Sequence, residues 1–258
     1  MEFSATFHDL AGRSVFISGG GSGIGEFLTE GFAAQGAKVA FVQRSDATAI
    51  CDRIERAHGN RPLFVECDVT DIEALRGAIA TAAGAHGPVT VLVNNAAWDN
   101  RHALDGFSVE EWDHMQAVNL RHHFFAAQAV ADGMRAAGGG TIVNYSSISY
   151  MMGNAGYPAY VAAKAAITGL TRGLARELGP DNIRVNALMP GWVLTARQRR
   201  LWVDEDGGNL QAHLERQCLK REIEPFDMVE PTLFLASNAS RVMTGQALVV
   251  DGGVVVTG

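Results

Sequence analysis

Tyr160 and Lys164 stand four residues apart in Tyr-Val-Ala-Ala-Lys, and Ser147 lies thirteen residues before Tyr160 in Tyr-Ser-Ser-Ile-Ser. On a helix, positions i and i+4 share a face. A phenol, with a reference pKa of about 10, is a poor base near neutrality, but a neighbouring ammonium favours the phenolate. Tyr160 is therefore suited to exchange a proton with a substrate hydroxyl. Ser147 follows the apolar run Thr141–Tyr145, which carries it to the mouth of the same site to hold the substrate oxygen. These residue types at these intervals suit carbonyl/alcohol chemistry.

The elements that must position this trio alternate along the chain. Strand-like apolar runs occur at Ser14–Ser18, Lys38–Val42, Pro62–Glu66, Val89–Val93, Thr141–Tyr145, Arg184–Leu188 and Ala247–Val250. Helical stretches separate them, including long ones at Val109–Ala137 and Pro158–Leu178. Alternation of this kind predicts an α/β fold with a doubly wound parallel sheet of seven strands, and a ligand lying across the carboxyl ends of the strands. Ser18-Gly-Gly-Gly-Ser-Gly-Ile-Gly25 follows the first strand and opens an amphipathic stretch from Glu26 to Gln35. A strand, a glycine turn and a helix start present free N–H groups and a positive dipole end to a pyrophosphate. The spacing Gly19-x-x-x-Gly23-x-Gly25 departs from the common Gly-x-Gly-x-x-Gly fingerprint.

Composition fits one large α/β domain spanning residues 1–258, with 47% hydrophobic residues to build a core. A net charge of −7 argues against nucleic acid or an anionic membrane as a partner. No apolar run reaches membrane-spanning length, and Met1-Glu-Phe-Ser-Ala-Thr-Phe-His lacks the pattern of a secretory leader, so a cytoplasmic location is expected. Cys51, Cys67 and Cys218 are scattered, which suggests reduced, buried thiols rather than disulfides or a zinc site. The adjacent His122 and His123 are expected on different helix faces, a poor chelate, and no metal is called for.

With Asn94-Asn-Ala-Ala97, Asn119 in Val-Asn-Leu and Pro190-Gly-Trp-Val-Leu-Thr195 added to the glycine turn and the Ser/Tyr/Lys trio, the chain resembles the short-chain dehydrogenase/reductase family from end to end. Ser18 stands where the family pattern has Thr, and Ala97 where it has Gly. The resemblance implies a single Rossmann-type domain with strand order 3-2-1-4-5-6-7 and a homotetramer. It makes Tyr160 the acid/base, Lys164 the group that lowers its pKa and bonds the nicotinamide ribose, Ser147 the orienter of the reacting oxygen, and Asn119 the holder of a water that links Lys164 to solvent. Ser146, Ser149 and Tyr157 are near competitors, but only Ser147 has the thirteen-residue interval, and Tyr157 has Val161 where the lysine belongs. The implied cofactor site comprises Gly19, Ser22, Gly23, Ile24, Gly25, Arg44, Ser45, Asp68, Val69, Asn95, Ala96, Pro190, Gly191, Val193 and Thr195, together with Tyr160 and Lys164.

Cofactor choice turns on the end of the second strand. A carboxylate there bonds the adenosine ribose of NAD. This chain has Gln43, then Arg44 and Ser45: no repulsion of a 2′-phosphate, and a guanidinium and hydroxyl able to bond one. NADP is favoured and NAD remains acceptable, with Asp46 as an acidic option and adenine packing as the alternative role of Arg44.

The segment Asn94–His102, together with Asn119–Phe124 and Thr195–Trp202, is similar to bacterial family members that oxidise aldoses at C1. Asp99, Ser147, Ser149, Asn154 and Trp192 are the expected substrate contacts, under a lid at about 195–222. A carboxylate with flat Trp98, Trp192 and Trp202 walls suits a polyhydroxy ring; Arg101 as a surface partner of Asp99 is the competing reading. The expected substrate is L-arabinose, D-xylose or D-galactose. Other carbonyl compounds, such as a keto-deoxy sugar acid or a 3-oxoacyl carrier-protein thioester, are the alternative, the last needing a basic patch such as Arg197, Arg199 and Arg200. A nucleotide-sensing regulator is a third class, disfavoured by the intact trio.

Overall fold

A computed structural model describes residues 3–203 and 207–256. Seven parallel strands form one sheet, β1 (Ser14–Ser18), β2 (Lys38–Gln43), β3 (Leu63–Glu66), β4 (Val91–Asn94), β5 (Gly140–Tyr145), β6 (Ile183–Pro190) and β7 (Ala247–Val250), in the order 3-2-1-4-5-6-7. Every residue of β1 and β4 is buried, as expected of strands covered on both faces by helices. One core packs Phe32, Phe41 and Leu233 on one face; the other packs Phe16, Leu75, Val130 and Met134. The strand reversal falls between β1 and β4, where a doubly wound sheet opens its ligand crevice.

The helices start where the sequence supplies caps. In α1 (Gly23–Ala34) the N-cap Ser22 makes no side-chain bond, which leaves the first N–H groups directed at the crevice. Asp71 caps α3 (Ile72–His86) by accepting from Ala74 N at 3.0 Å. Ser108 and Glu111 form a reciprocal capping box on α4 (Val109–Gln116). Pro158 begins α7 (Pro158–Leu178), where its missing N–H costs nothing.

The stretch expected as one helix from Val109 to Ala137 is three pieces: α4, a π-turn at Ala117–Arg121, and α5 (His122–Ala136). The extra residue of a π-turn rotates the side chains that follow. It brings His122 and His123, expected on different faces, together in the interior: both are fully buried, with ring centroids 4.3 Å apart. Cys218 also departs from expectation, being exposed with its thiol donating to the Gly253 carbonyl at 3.2 Å.

Buried amides tie the crevice floor together. Asn94 Nδ2 donates to Asn144 Oδ1 at 2.9 Å, and Asn144 Nδ2 to Thr171 Oγ1 at 3.0 Å, linking β4, β5 and α7. Ser146 Oγ donates to the Lys164 carbonyl at 2.6 Å, fixing α7 against the end of β5. Beyond β6 lie α8 (Ala196–Trp202) and α9 (Gly208–Arg216), the helices of the expected lid; 204–206 lie outside the described residues. Among the described residues no helix is long and apolar enough to cross a membrane.

Candidate active site

A cavity of about 1000 Å³ lies along the carboxyl ends of the strands, from Arg44 and Asp68 at one end to Asn154 and Tyr157 at the other. The glycine turn shapes its middle. A Cβ on Gly25 would sit 1.8 Å from the Gly19 carbonyl oxygen, and one on Gly19, whose φ is +70°, would sit 2.9 Å from Ala96 Cα. Only glycine allows these approaches. Ser18 Oγ accepts the N–H groups of Asn95 and Ala96 at 3.0 and 3.1 Å, while Asn95 Nδ2 donates to the Ser18 and Gly19 carbonyls. The turn and the loop after β4 are thereby locked to each other. With its oxygen so occupied, the Ser18 hydroxyl donates its proton to His122 Nε2, 3.3 Å away. An imidazole that accepts there is neutral, and burial, then the nearby Lys164 charge, holds His122 down at about 3. A pyrophosphate-bearing cofactor fits this cradle, whose glycines leave backbone N–H groups bare at the start of α1.

At the adenosine end of such a ligand, the Arg44 side chain is 74% exposed and its Nη1 lies 3.8 Å from Asp68 Oδ2. Gln43 Nε2 donates to the Ser45 carbonyl and hydroxyl, each at 3.0 Å. Asp68 Oδ1 accepts from the Thr70 N–H and hydroxyl; partial burial pushes its carboxyl up, but these bonds and Arg44 outweigh it and the net shift is downward. Asp46, the acidic option, bonds Thr48 N and Oγ1 and does not line the cavity.

At the reactive end, Lys164 is 1% exposed and its Nζ donates to the Tyr145 carbonyl at 2.8 Å. Burial lowers its ammonium to about 7, against the opposing pull of Asp99. Tyr160 lines the cavity with Lys164 Nζ 5.6 Å from its ring centroid. Its phenol is raised, chiefly by desolvation and then by Asp99 and Tyr157, with a Ser147 hydrogen bond and the Arg101 charge pulling the other way. In the protein alone the phenol is thus not depressed: desolvation is the largest influence on it. Asn119 is in the π-turn. Its Nδ2 donates to the Trp98 and Met115 carbonyls at 3.0 Å, and its Oδ1 accepts from Trp98 N at 2.9 Å. Its amide protons are spent on backbone, so any water it holds must use the remaining Oδ1 lone pair or the backbone.

The lid helix α8 closes the reactive end. Asp99 pairs with Arg197 and accepts from Gln198 Nε2 at 2.5 Å, and Gln198 Oε1 accepts from Trp192 Nε1 at 3.0 Å. Arg101 is not the partner of Asp99; its guanidinium lies over the ring of Tyr157 at 3.8 Å. Thr195 spends its hydroxyl capping α8 through Gln198 N. Arg199 pairs with Glu222 and Glu224, so two of the three arginines considered as a basic patch are neutralised within the chain.

The family profile described as "Enoyl-(Acyl carrier protein) reductase" matches residues 19–255. The sequence is 51% identical over 253 residues to the "Probable galactose dehydrogenase GalD" of Rhizobium meliloti (strain 1021), covering 97% of this chain and 98% of that one. It is 43% identical to the D-xylose 1-dehydrogenase of Caulobacter vibrioides (strain NA1000 / CB15N), with the same coverage. A blue fluorescent protein from a metagenomic library, crystallised with NADPH, superposes with a TM-score of 0.88 at 34% identity, over 96% of this chain and 100% of that one. The chain belongs to the short-chain dehydrogenase/reductase family. It is an oxidoreductase of that family, with a nicotinamide cofactor and a small-molecule substrate.

For this short-chain dehydrogenase/reductase, the structure brings most of the residues singled out in the sequence to one cavity wall. Ser22, Ile24, Val69, Pro190, Gly191, Val193 and Thr195 line it alongside Ser147, Tyr160 and Lys164, and Ser149, Asn154 and Trp192 line its reactive end. Gly23, Gly25 and Asn119 do not line it. Sequence reasoning missed His114, Gln198, His213 and Arg216, which also face the cavity. Three of these come from the lid, where no spacing rule announces which face turns inward. Tyr157, set aside as the acid/base for lack of a lysine, stacks on Tyr160 with centroids 5.3 Å apart and accepts from Asn154 Nδ2 at 3.1 Å.

Proposed function

We propose that this protein oxidises the C1 hydroxyl of a pyranose, of the L-arabinose, D-xylose or D-galactose type, to the lactone. The observation that carries the reading is the convergence of Ser147, Tyr160 and Lys164 with Asp99 and the aromatic wall at one end of a cavity whose middle is the glycine cradle. The likeness to galactose and xylose dehydrogenases supports the sugar over other alcohols.

In the proposed step Ser147 holds the C1 oxygen and Tyr160 accepts its proton. When bound, the oxidised nicotinamide supplies the hydride acceptor and a positive charge that favours the phenolate. Lys164 uses one donor on the Tyr145 carbonyl and keeps two for the nicotinamide ribose. An ammonium titrating at about 7 is also suited to pass the proton onward. Asp99, already bonded to the lid, accepts from ring hydroxyls with its spare lone pairs, while Trp192, Ser149 and Asn154 complete the contacts. NADP is the preferred cofactor through Arg44 and Ser45, with NAD accepted. The enzyme acts in the cytoplasm as a homotetramer.

The test is a panel of aldoses, sugar acids and acyl thioesters followed by absorbance of the reduced cofactor. Aldose-dependent reduction of NADP or NAD is expected. If only a keto acid or a thioester turns over, oxidising the reduced cofactor, the sugar reading fails and the oxidoreductase assignment stands.

A further inference from the structure

The loop from Trp98 to His102 is bonded to the π-turn, to the lid helix and to the start of α7. Trp98 is held at its N–H and carbonyl by Asn119 of the π-turn. Asp99 grips Arg197 and Gln198 of the lid helix. His102 N donates to the Gly156 carbonyl at 2.8 Å, and His102 Nε2 accepts the Ala159 N–H at 3.2 Å. That last bond caps the first turn of α7, whose own N-cap, Tyr157, makes no side-chain capping bond. The catalytic helix and the lid are therefore joined through five consecutive residues.

Arg101 sits at the centre of this junction. Its guanidinium carbon is 3.8 Å from the Tyr157 ring centroid and 5.1 Å from that of Trp202, the last residue of α8. Tyr157 in turn stacks on Tyr160 at 29°. Among the described residues no carboxylate pairs with Arg101, since Asp99 is taken by Arg197. A planar guanidinium can lie flat on one ring and still face a second, and an ammonium does neither as well.

We propose that Arg101 is a positioning residue for the oxidation: it holds Tyr157 against Tyr160 and draws the lid onto that pair through Trp202, so that closing over the substrate and aligning the phenol are one event. Resting on the sugar reading, this adds a coupling that neither Asp99 nor the Ser147–Tyr160–Lys164 trio provides alone. The titratable and charged groups that act on Tyr160 are Asp99 and Arg101 from the loop and Tyr157 from the helix start, with Lys164 facing its ring from one turn along α7. Removing Arg101 deletes a cation from that set and leaves Asp99.

The experiment compares Arg101→Ala, Arg101→Lys and Trp202→Ala with the wild type, in steady-state kinetics across pH with the best substrate, alongside NADPH affinity by fluorescence. Arg101→Ala is expected to lower kcat by about tenfold and to move the rise of the oxidative pH profile alkaline by about half a unit, with NADPH affinity within about twofold. Arg101→Lys, which keeps the charge but not the flat stack, should restore the pH profile while kcat stays several-fold low. Trp202→Ala, which cuts the link to the lid but leaves the charge, should raise KM and lower kcat several-fold without moving the profile. A wild-type kcat and pH profile in Arg101→Ala, with only KM altered, overturns the proposal and leaves Arg101 as a rim contact. Restoration of nothing by Arg101→Lys, with a lowered Tm in both variants, also overturns it in favour of a structural role. If the wild type oxidises no aldose, the sugar reading fails on its own, and the same comparison with whichever compound turns over still decides the role of Arg101.

Discussion

Asp99 and Gln198 are 99 residues apart in the chain, yet Asp99 Oδ2 accepts from Gln198 Nε2 at 2.5 Å, while Oδ1 meets Arg197. The carboxylate is thus both a cavity wall and a latch for the lid. Asp99→Ala removes a charged acceptor and strands Arg197. The loss of a hydrogen bond to a charged group is about 1.5–3 kcal/mol, and with the Arg197 side chain 41% exposed the lower end applies. We expect KM for the best aldose to rise about tenfold, with NADPH affinity little changed. Steady-state kinetics and a fluorescence titration check this, and an unaltered KM removes Asp99 from sugar binding.

Tyr160→Phe keeps the ring that stacks on Tyr157 and deletes the proton acceptor. Turnover should drop by at least about a hundredfold, while cofactor binding is retained. Because desolvation raises the phenol of the protein alone, the phenolate fraction grows with pH, and oxidation by the wild type should accelerate on the alkaline side of neutrality. A flat profile between neutrality and pH about 10 contradicts the acid/base role.

Lys164 is expected to cost stability in return for chemistry. Its folded pKa of about 7 lies below the ordinary lysine value of 10.5, so between those pH values the unfolded chain binds the extra proton and stability rises with pH. Below about 7 the full cost of a buried ammonium is present. Lys164→Met should therefore abolish turnover yet raise Tm at pH about 6, by several degrees at most because the Tyr145 carbonyl loses its donor. That advantage should shrink as pH rises through the window from about 7 to 10.5. Thermal melts of both proteins at three pH values measure it; a variant less stable at pH 6 than at pH 9, relative to wild type, reverses the sign.

The trio, the glycine turn and the alternation of strands with helices were legible because each depends on local spacing: four residues on a helix, glycines between a strand and a helix start, apolar runs separated by helical stretches; the strand order came from the family resemblance. What was not legible depends on partners distant in sequence. The π-turn that places Asn119 and buries His122 and His123 adds one residue to a helix, and hydrophobic periodicity over Val109–Ala137 absorbs it without a visible break. Arg101 was the nearby candidate for Asp99, yet the lid brings Arg197 and Gln198. The desolvation that raises the Tyr160 phenol is hidden for a related reason: the lysine is visible in sequence, the burial around the phenol is not.

Cofactor preference tests the far end of the cavity. Arg44 is largely exposed and only loosely paired with Asp68, so it is free to turn onto a 2′-phosphate. Arg44→Ala should weaken NADP by about tenfold or more, the cost of a hydrogen bond between charged groups, and NAD by much less. Gln43→Asp, which replaces the amide bonded to Ser45 with a carboxylate, should shift preference toward NAD by repelling the phosphate. Equal losses for both cofactors on Arg44→Ala mean that the guanidinium only covers adenine.

The last prediction concerns assembly. Leu104 (81% exposed), Val109 (70%) and Trp112 (43%) line an apolar groove beside the start of α7, and Phe124 on α5 is 44% exposed. The groove lies between the start of α4 and the start of α7, helices that follow β4 and β5, and Val256 near the C-terminus is 85% exposed. Contiguous apolar surface of this kind marks an interface, and closed symmetric oligomers are the usual way soluble enzymes cover it. The proposed homotetramer uses these helices, so Val109→Lys combined with Trp112→Glu should reduce the mass in light scattering at micromolar concentration. The same change should lower activity, because α4 leads into the π-turn where Asn119 pins Trp98. A wild-type protein that is monomeric under these conditions rejects the assembly, and an unchanged mass in the double variant moves the interface elsewhere.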